Sequence, residues 1–164
     1  MDLMESIRQE FDHEAKTTRR HLERIPEEKL TWKPHQKSFS AAALASHLVE
    51  CIGWGESIFS EDEASLDPAT YKPLHVKSSA NLLQTFDENV ANCKRALDAA
   101  SAEDLDRSWR FKWGGQVVFD RPKALAFRDF TLSHIIHHRG QLSVYLRLLE
   151  VPVPGSYGPT ADEA

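Results

Sequence analysis

The sequence predicts an all-α protein, a four-helix bundle with a small β-hairpin before the last helix. Four stretches of about 20 residues repeat apolar side chains every three or four positions, the signature of amphipathic helices. Polar or proline-bearing connectors separate them. A single run alternates aromatic and basic residues up to Gly114-Gly115 and resumes as Gln116-Val117-Val118-Phe119, which is a two-residue hairpin pattern. The chain has 164 residues, enough for one domain, taken as 1–164, on the prior of about 150 residues per domain. At 41% hydrophobic and 27% charged the composition is that of an ordinary globular protein with a packed core.

The first helix covers 2–24, where Leu3, Ile7, Phe11, Ala15, Leu22 and Ile25 form one face. Pro26 and the connector Lys33-Pro34-His35 oppose its extension. Ser38 or Ser40 caps the second helix, whose inward stripe reads Leu44, His47, Leu48, Cys51, Gly55, Ile58. Residues 60–77 carry acids and two prolines and read as a loop, long enough to cross the bundle, so the helix order stays open. Ser78 caps the third helix, with its stripe at Leu82, Phe86, Val90, Cys93 and Leu97. Pro122 suits the first turn of the fourth helix, which runs uninterrupted to about Glu150, where Pro152 and Pro154 stop it.

Charge and composition exclude several functions. A net charge of −5 and a pI near 5.9 offer no footprint for a polyanion, so nucleic acid is not an expected partner. No apolar run approaches the roughly 20 residues of a membrane span, and the start of the chain is charged from Asp2 with no secretory core, which reads as cytoplasmic. Cys51 and Cys93 lack metal-type Cys-x-x-Cys spacing and read as small buried hydrophobes. There is no nucleophile–base motif and no glycine-rich phosphate loop.

The histidines carry the chemistry. The fourth helix presents Phe127, Thr131, His134, His138, Gln141, Tyr145 and Leu148 on its inward line. His134 and His138 are four apart, about 40° around the helix axis, so both imidazoles can converge on one atom. His137 is displaced to the flank. A single inward histidine is ordinarily a hydrogen-bonded core residue. Three unpaired imidazoles in one bundle are costly unless a divalent ion satisfies them together. His47 is the only other histidine on an inward stripe, so periodicity points to His47, His134 and His138 as a metal triad. Ile135 stands where a zincin helix carries glutamate, which excludes a thermolysin-like protease. Three neutral nitrogen ligands leave a coordination position open, as in catalytic zinc sites. Zinc, nickel, cobalt and iron all accept imidazole, with zinc or nickel leading. Affinity should weaken as pH falls through about 6.5, because only neutral imidazole binds metal.

Several segments resemble the DinB-like (DinB/YfiT-like) family of metalloproteins. They are Trp32-Lys33-Pro34, Ser38-Phe39-Ser40, Ala45-Ser46-His47-Leu48, the block His134-x-x-His137-His138-Arg139-Gly140-Gln141, Tyr145-Leu146-Arg147, Val151-Pro152-Val153-Pro154, and Tyr157-Gly158-Pro159-Thr160-Ala161-Asp162. The resemblance implies a four-helix bundle, a divalent metal on His47, His134 and His138, and frequently a homodimer. The wider superfamily holds bacillithiol S-transferases and a mycothiol-dependent maleylpyruvate isomerase, so a low-molecular-weight thiol or other small-molecule substrate is the implied partner. Membership does not fix the reaction.

Around the triad, Gln141 is a candidate to support His138, and Glu50, one turn after His47, is a candidate general acid or base. Arg139 points away and pairs with an acid or a second subunit. Gly140 costs about 1 kcal/mol in a helix, which suggests close approach of another helix. Trp32, Trp54, Trp109 and Trp113 either line a pocket or fill the core, and the tail from Tyr157 to Ala164 packs along the bundle or a partner subunit. Two functions follow: a metal-dependent enzyme, either a thiol S-transferase or a hydrolase, or a non-catalytic dimeric module that binds metal or ligand in a stress response.

Overall fold

The computed structural model describes residues 2–163; Met1 and Ala164, the ends of the expected domain and tail, lie outside the described residues. Helix α1 spans Leu3–Leu22, α2 Ala41–Ser60 and α3 Ser79–Ala99. The last helical segment is made of α4, Lys123–Phe127, and α5, Ser133–Leu148, joined by a π turn over Arg128–Leu132. The caps follow the chemistry of the sequence. Ser40 and Ser78 accept the backbone N–H groups of Ala43 and Asn81, each at 3.1 Å, satisfying donors that the first helical turn leaves free.

α2 packs against α3 and α5, and α1 packs against the same two helices, so α1 and α2 lie across from one another. The long connection after α2 therefore joins neighbouring helices. α2 is buried on nearly every side, from Ala41 through Phe59, whereas α1 and α3 bury one stripe each. Leu3 is exposed, and Met4 takes the core place expected for it. Among the described residues no helix is long and apolar enough to cross a membrane.

The 60–77 segment is not all loop. Glu63–Leu66 forms β1, which pairs in parallel with β2, Ser108–Trp113; β2 pairs antiparallel with β3, Gln116–Pro122. The sheet has three strands in the order β1-β2-β3. Positive φ at Gly114 (58°) and Gly115 (78°) makes the two-residue turn that matches strand twist. Buried Trp109 packs the sheet onto the helices through Trp54 and Phe130, with ring centroids 6.2 and 5.2 Å away. Parallel pairing across more than forty residues leaves no local signal in Glu-Ala-Ser-Leu, which has no β-branched residue.

The π turn corrects the fourth helix. It inserts a residue, which rotates everything downstream by about 100°. The buried line becomes Phe127, Thr131, Ile135, Arg139, Leu142 and Leu146, with Tyr145 of the expected stripe still buried beside it. His134 and His138 are consequently half-buried at the edge facing α2, while Gln141 and Leu148 are exposed. No neighbouring atom lies within 4 Å of a Cβ built on Gly140, so the close approach expected there is absent from the described residues.

Candidate metal centre

The site forms where α2 and α5 meet. His47 Nε2 lies 3.3 Å from His134 Nε2. The His138 ring is 4.6 Å from that of His47 and 4.9 Å from that of His134, centroid to centroid. The sequence-predicted trio thus comes together from two helices. Two nitrogens bound tetrahedrally at the usual metal–imidazole length of about 2.0–2.1 Å stand about 3.3–3.4 Å apart. The His47–His134 spacing fits that edge.

Two of the rings are oriented through their other nitrogen. His47 Nδ1 is 3.3 Å from Glu50 Oε2, and His138 Nδ1 donates to Gln141 Oε1 at 2.8 Å. At His134 the Phe130 backbone, inside the π turn, favours the protonated ring and partly opposes the effect of burial. π turns are often found at functional sites. An oxygen acceptor on one ring nitrogen fixes the tautomer and leaves the opposite lone pair for a cation.

Glu50, read from sequence as a candidate acid or base, holds three groups at once: His47, the Tyr71 hydroxyl at 3.3 Å and the Leu74 backbone N–H. Burial raises its pKa, but hydrogen bonds from His47 and the Leu74 amide outweigh that and keep the carboxyl below its usual range. Gln141, read from sequence as a possible donor, instead accepts from His138, and its amide nitrogen lies 3.2 Å from His137 Nε2, which leaves His137 on the flank. Burial first, then repulsion from His138 and His47, lowers the His134 pKa to about 4. His138 is lowered too, mainly by burial. Proton competition at these two rings therefore begins lower than the reference value near 6.5.

Cys51 was read as a core hydrophobe, and it is fully buried. Its Sγ also lies 3.9 Å from His47 Nε2, and donor atoms of His47, Cys51 and His134 all fall within 4.8 Å of one another. The signal was present as a four-residue step from His47, the same step that joins His134 to His138. Burial, with the charge of Glu50, pushes the Cys51 thiol up to about 12. Cys93 is remote from this chemistry in a buried position beside Gly55.

The other singled-out residues sort into packing and access. Trp109 is core, and half-buried Trp54 lines a cavity of about 260 Å³ with Glu50 and Tyr71. Trp113 is exposed beside Tyr71, and Trp32 meets Tyr145 edge-on. Arg139 does pair with an acid: it is buried, 2.6 Å from Glu14 Oε2, and donates to the Tyr157 hydroxyl at 2.7 Å. The described part of the tail lies against α1 and α5 through Glu163 with Arg20 and Asp162 with Arg147.

Comparison with known proteins agrees with this architecture. The uncharacterized protein YrdA of Bacillus subtilis (strain 168) is 26% identical over 153 residues, 93% of this chain and 87% of that protein. YjoA of the same organism is 28% identical over 127 residues, 76% of this chain and 77% of that protein. The crystal structure of a DinB-like protein from Bacillus cereus ATCC 10987 superposes with a TM-score of 0.70 at 21% identity, covering 91% of this chain and 94% of that one. The crystal structure of YjoA gives a TM-score of 0.71 at 21% identity over 97% and 99% of the two chains. Both superpositions show a shared fold. A profile described as DinB family matches residues 2–164, and on that match the chain belongs to the DinB family.

Proposed function

We propose that this protein is a divalent-metal-dependent enzyme, a thiol S-transferase or hydrolase built on a four-helix bundle, with His47, His134 and His138 as metal ligands. One observation carries the reading. Glu50 and Gln141 place an oxygen on Nδ1 of His47 and of His138, and these two rings and that of His134 are within 5.0 Å of one another. Zinc or nickel is the expected ion, which when bound would supply Lewis acidity that lowers the pKa of a thiol or water.

The protein's own groups would do the rest. His47, held by Glu50, keeps Nε2 toward the cluster. The ionised Glu50 lies at the wall of the cavity next to His47, within reach of a proton on a bound small molecule. Leu74 and Phe39 add apolar surface to the lining of that cavity. We place the protein in the cytoplasm as a homodimer acting on a small molecule or a low-molecular-weight thiol.

The test is elemental analysis of untagged protein beside His47→Ala, His134→Ala and His138→Ala, followed by thiol and electrophile panels on fully loaded protein. About one ion per chain, lost in each variant, is expected. Full occupancy in all three variants overturns the ligand set, and silence across wide panels overturns the enzyme.

A second reading, a non-catalytic dimeric module that responds to stress, is favoured by Cys51. A thiol inside the cluster supplies a fourth donor, and a filled fourth position is the arrangement of structural zinc. On that reading metal raises the melting temperature strongly and Cys51→Ser abolishes the gain.

A further inference from the structure

Each of the two helices at the site offers a pair of donors four residues apart. On α5 they are His134 and His138; on α2 they are His47 and Cys51. Four residues is about 40° around a helix axis, so the members of each pair can face one point. Cys51 Sγ lies 3.9 Å from His47 Nε2, and donor atoms of His47, Cys51 and His134 fall within 4.8 Å of one another. A sulfur and a nitrogen bound tetrahedrally at the usual zinc distances of about 2.3 and 2.0–2.1 Å stand about 3.5–3.6 Å apart. The observed spacing reaches that edge with a side-chain shift of a few tenths of an ångström.

Charge points the same way. Glu50 is ionised beside His47, and three imidazoles add no charge. A dication held by histidine alone would leave this half-buried place with an uncompensated positive charge. A thiolate at Cys51 brings the sum of ion, carboxylate and sulfur to zero. Cys51 is fully buried, and a thiol in such surroundings ionises only beside a cation. Sulfur also sorts the metals. Thiolate with imidazole in a tetrahedron is a zinc donor set, whereas nickel(II) prefers square-planar or tetragonal nitrogen and oxygen.

We propose that Cys51 Sγ is the fourth protein donor of the histidine site and that this sulfur selects zinc over nickel. The inference rests on the metal reading above and narrows it: the ion has four protein donors, and a substrate enters as a fifth. As the metal–sulfur bond forms the S–H bond breaks, its proton leaves to solvent, and nothing is oxidised or reduced.

The experiment uses full-length protein, free of thiol reductants and loaded with cobalt(II), whose spectrum reports the ligands that zinc hides. Wild type and Cys93→Ser should both show sulfur-to-cobalt charge-transfer absorption beside the d–d bands of tetrahedral cobalt. Cys93→Ser keeps Cys51 as its single thiol, so its band assigns the sulfur even where Cys51→Ser fails to fold. In Cys51→Ser the band should vanish, and chelator competition should show zinc affinity falling by more than nickel affinity. Cobalt d–d bands without charge transfer in wild type, or a charge-transfer band that survives Cys51→Ser, overturns the sulfur ligand and leaves the histidine triad standing. Equal losses of zinc and nickel affinity overturn the selectivity. Absence of any cobalt spectrum overturns the metal reading and the sulfur ligand together.

Discussion

His47 Nε2 and His134 Nε2 stand 3.3 Å apart although 87 positions separate them in the chain. The contact exists because α2 and α5 pack side by side and because Glu50 holds the His47 ring from behind. Bringing two neutral imidazoles this close without a shared proton or cation is unfavourable, since their lone pairs oppose each other.

Glu50 is the most connected of the supporting groups. Glu50→Ala removes the acceptor for His47 and leaves the Leu74 amide without its partner. Metal affinity should fall about 10–100-fold, the usual scale for such partners. Glu50→Gln, which keeps an oxygen in place, should lose less. Competition with a chelator measures both.

Acid sensitivity has a second source in His21, in the last turn of α1. Its ring is fully buried, Nδ1 donates to the Thr17 carbonyl at 2.9 Å, and Nε2 has no partner among the described residues. Burial lowers its pKa, and Arg139 and Arg20 add to that, while the Thr17 carbonyl and Glu163 oppose it. The unfolded chain takes up this proton first, so stability is full above about 6.5 and is lost as pH falls below it. His134 and His138 act in the same direction. Urea midpoints of wild type and His21→Leu between pH 5 and 8 should show a shallower acid loss in the variant; identical slopes would refute this role.

The Arg139–Glu14 pair is buried on both sides, with side chains 2% and 5% exposed. Arg139→Met should cost about 3–5 kcal/mol, because Glu14 is left charged in the interior. The double variant Glu14→Gln, Arg139→Met should recover much of that loss. Chemical denaturation decides it, and a small effect of the single variant would mean that Glu14 finds another partner.

Gly55 lets α2 meet α3 and α4. A Cβ there would fall 2.3 Å from Cys93 Sγ and 3.0 Å from Phe127 Cε2. Gly55→Ala should destabilise by about 1–3 kcal/mol, the cost of overpacking. Removing the sulfur with Cys93→Ala should reduce that penalty, which a double-mutant cycle in urea measures.

The sequence by itself determined the four helical segments, the Ser40 and Ser78 caps, the glycine turn before β3 and the three histidines, because each is written in local spacing or turn chemistry. Only the tertiary structure decided the rest. β1 depends on a parallel partner distant in sequence, and the π turn depends on packing that a uniform 3.6-residue period cannot anticipate. That turn moved His134 and His138 from the core line to the edge facing α2. Tyr71 and the Leu74 amide reach the site through their contacts with Glu50 on α2, contacts between chain segments that no periodicity encodes.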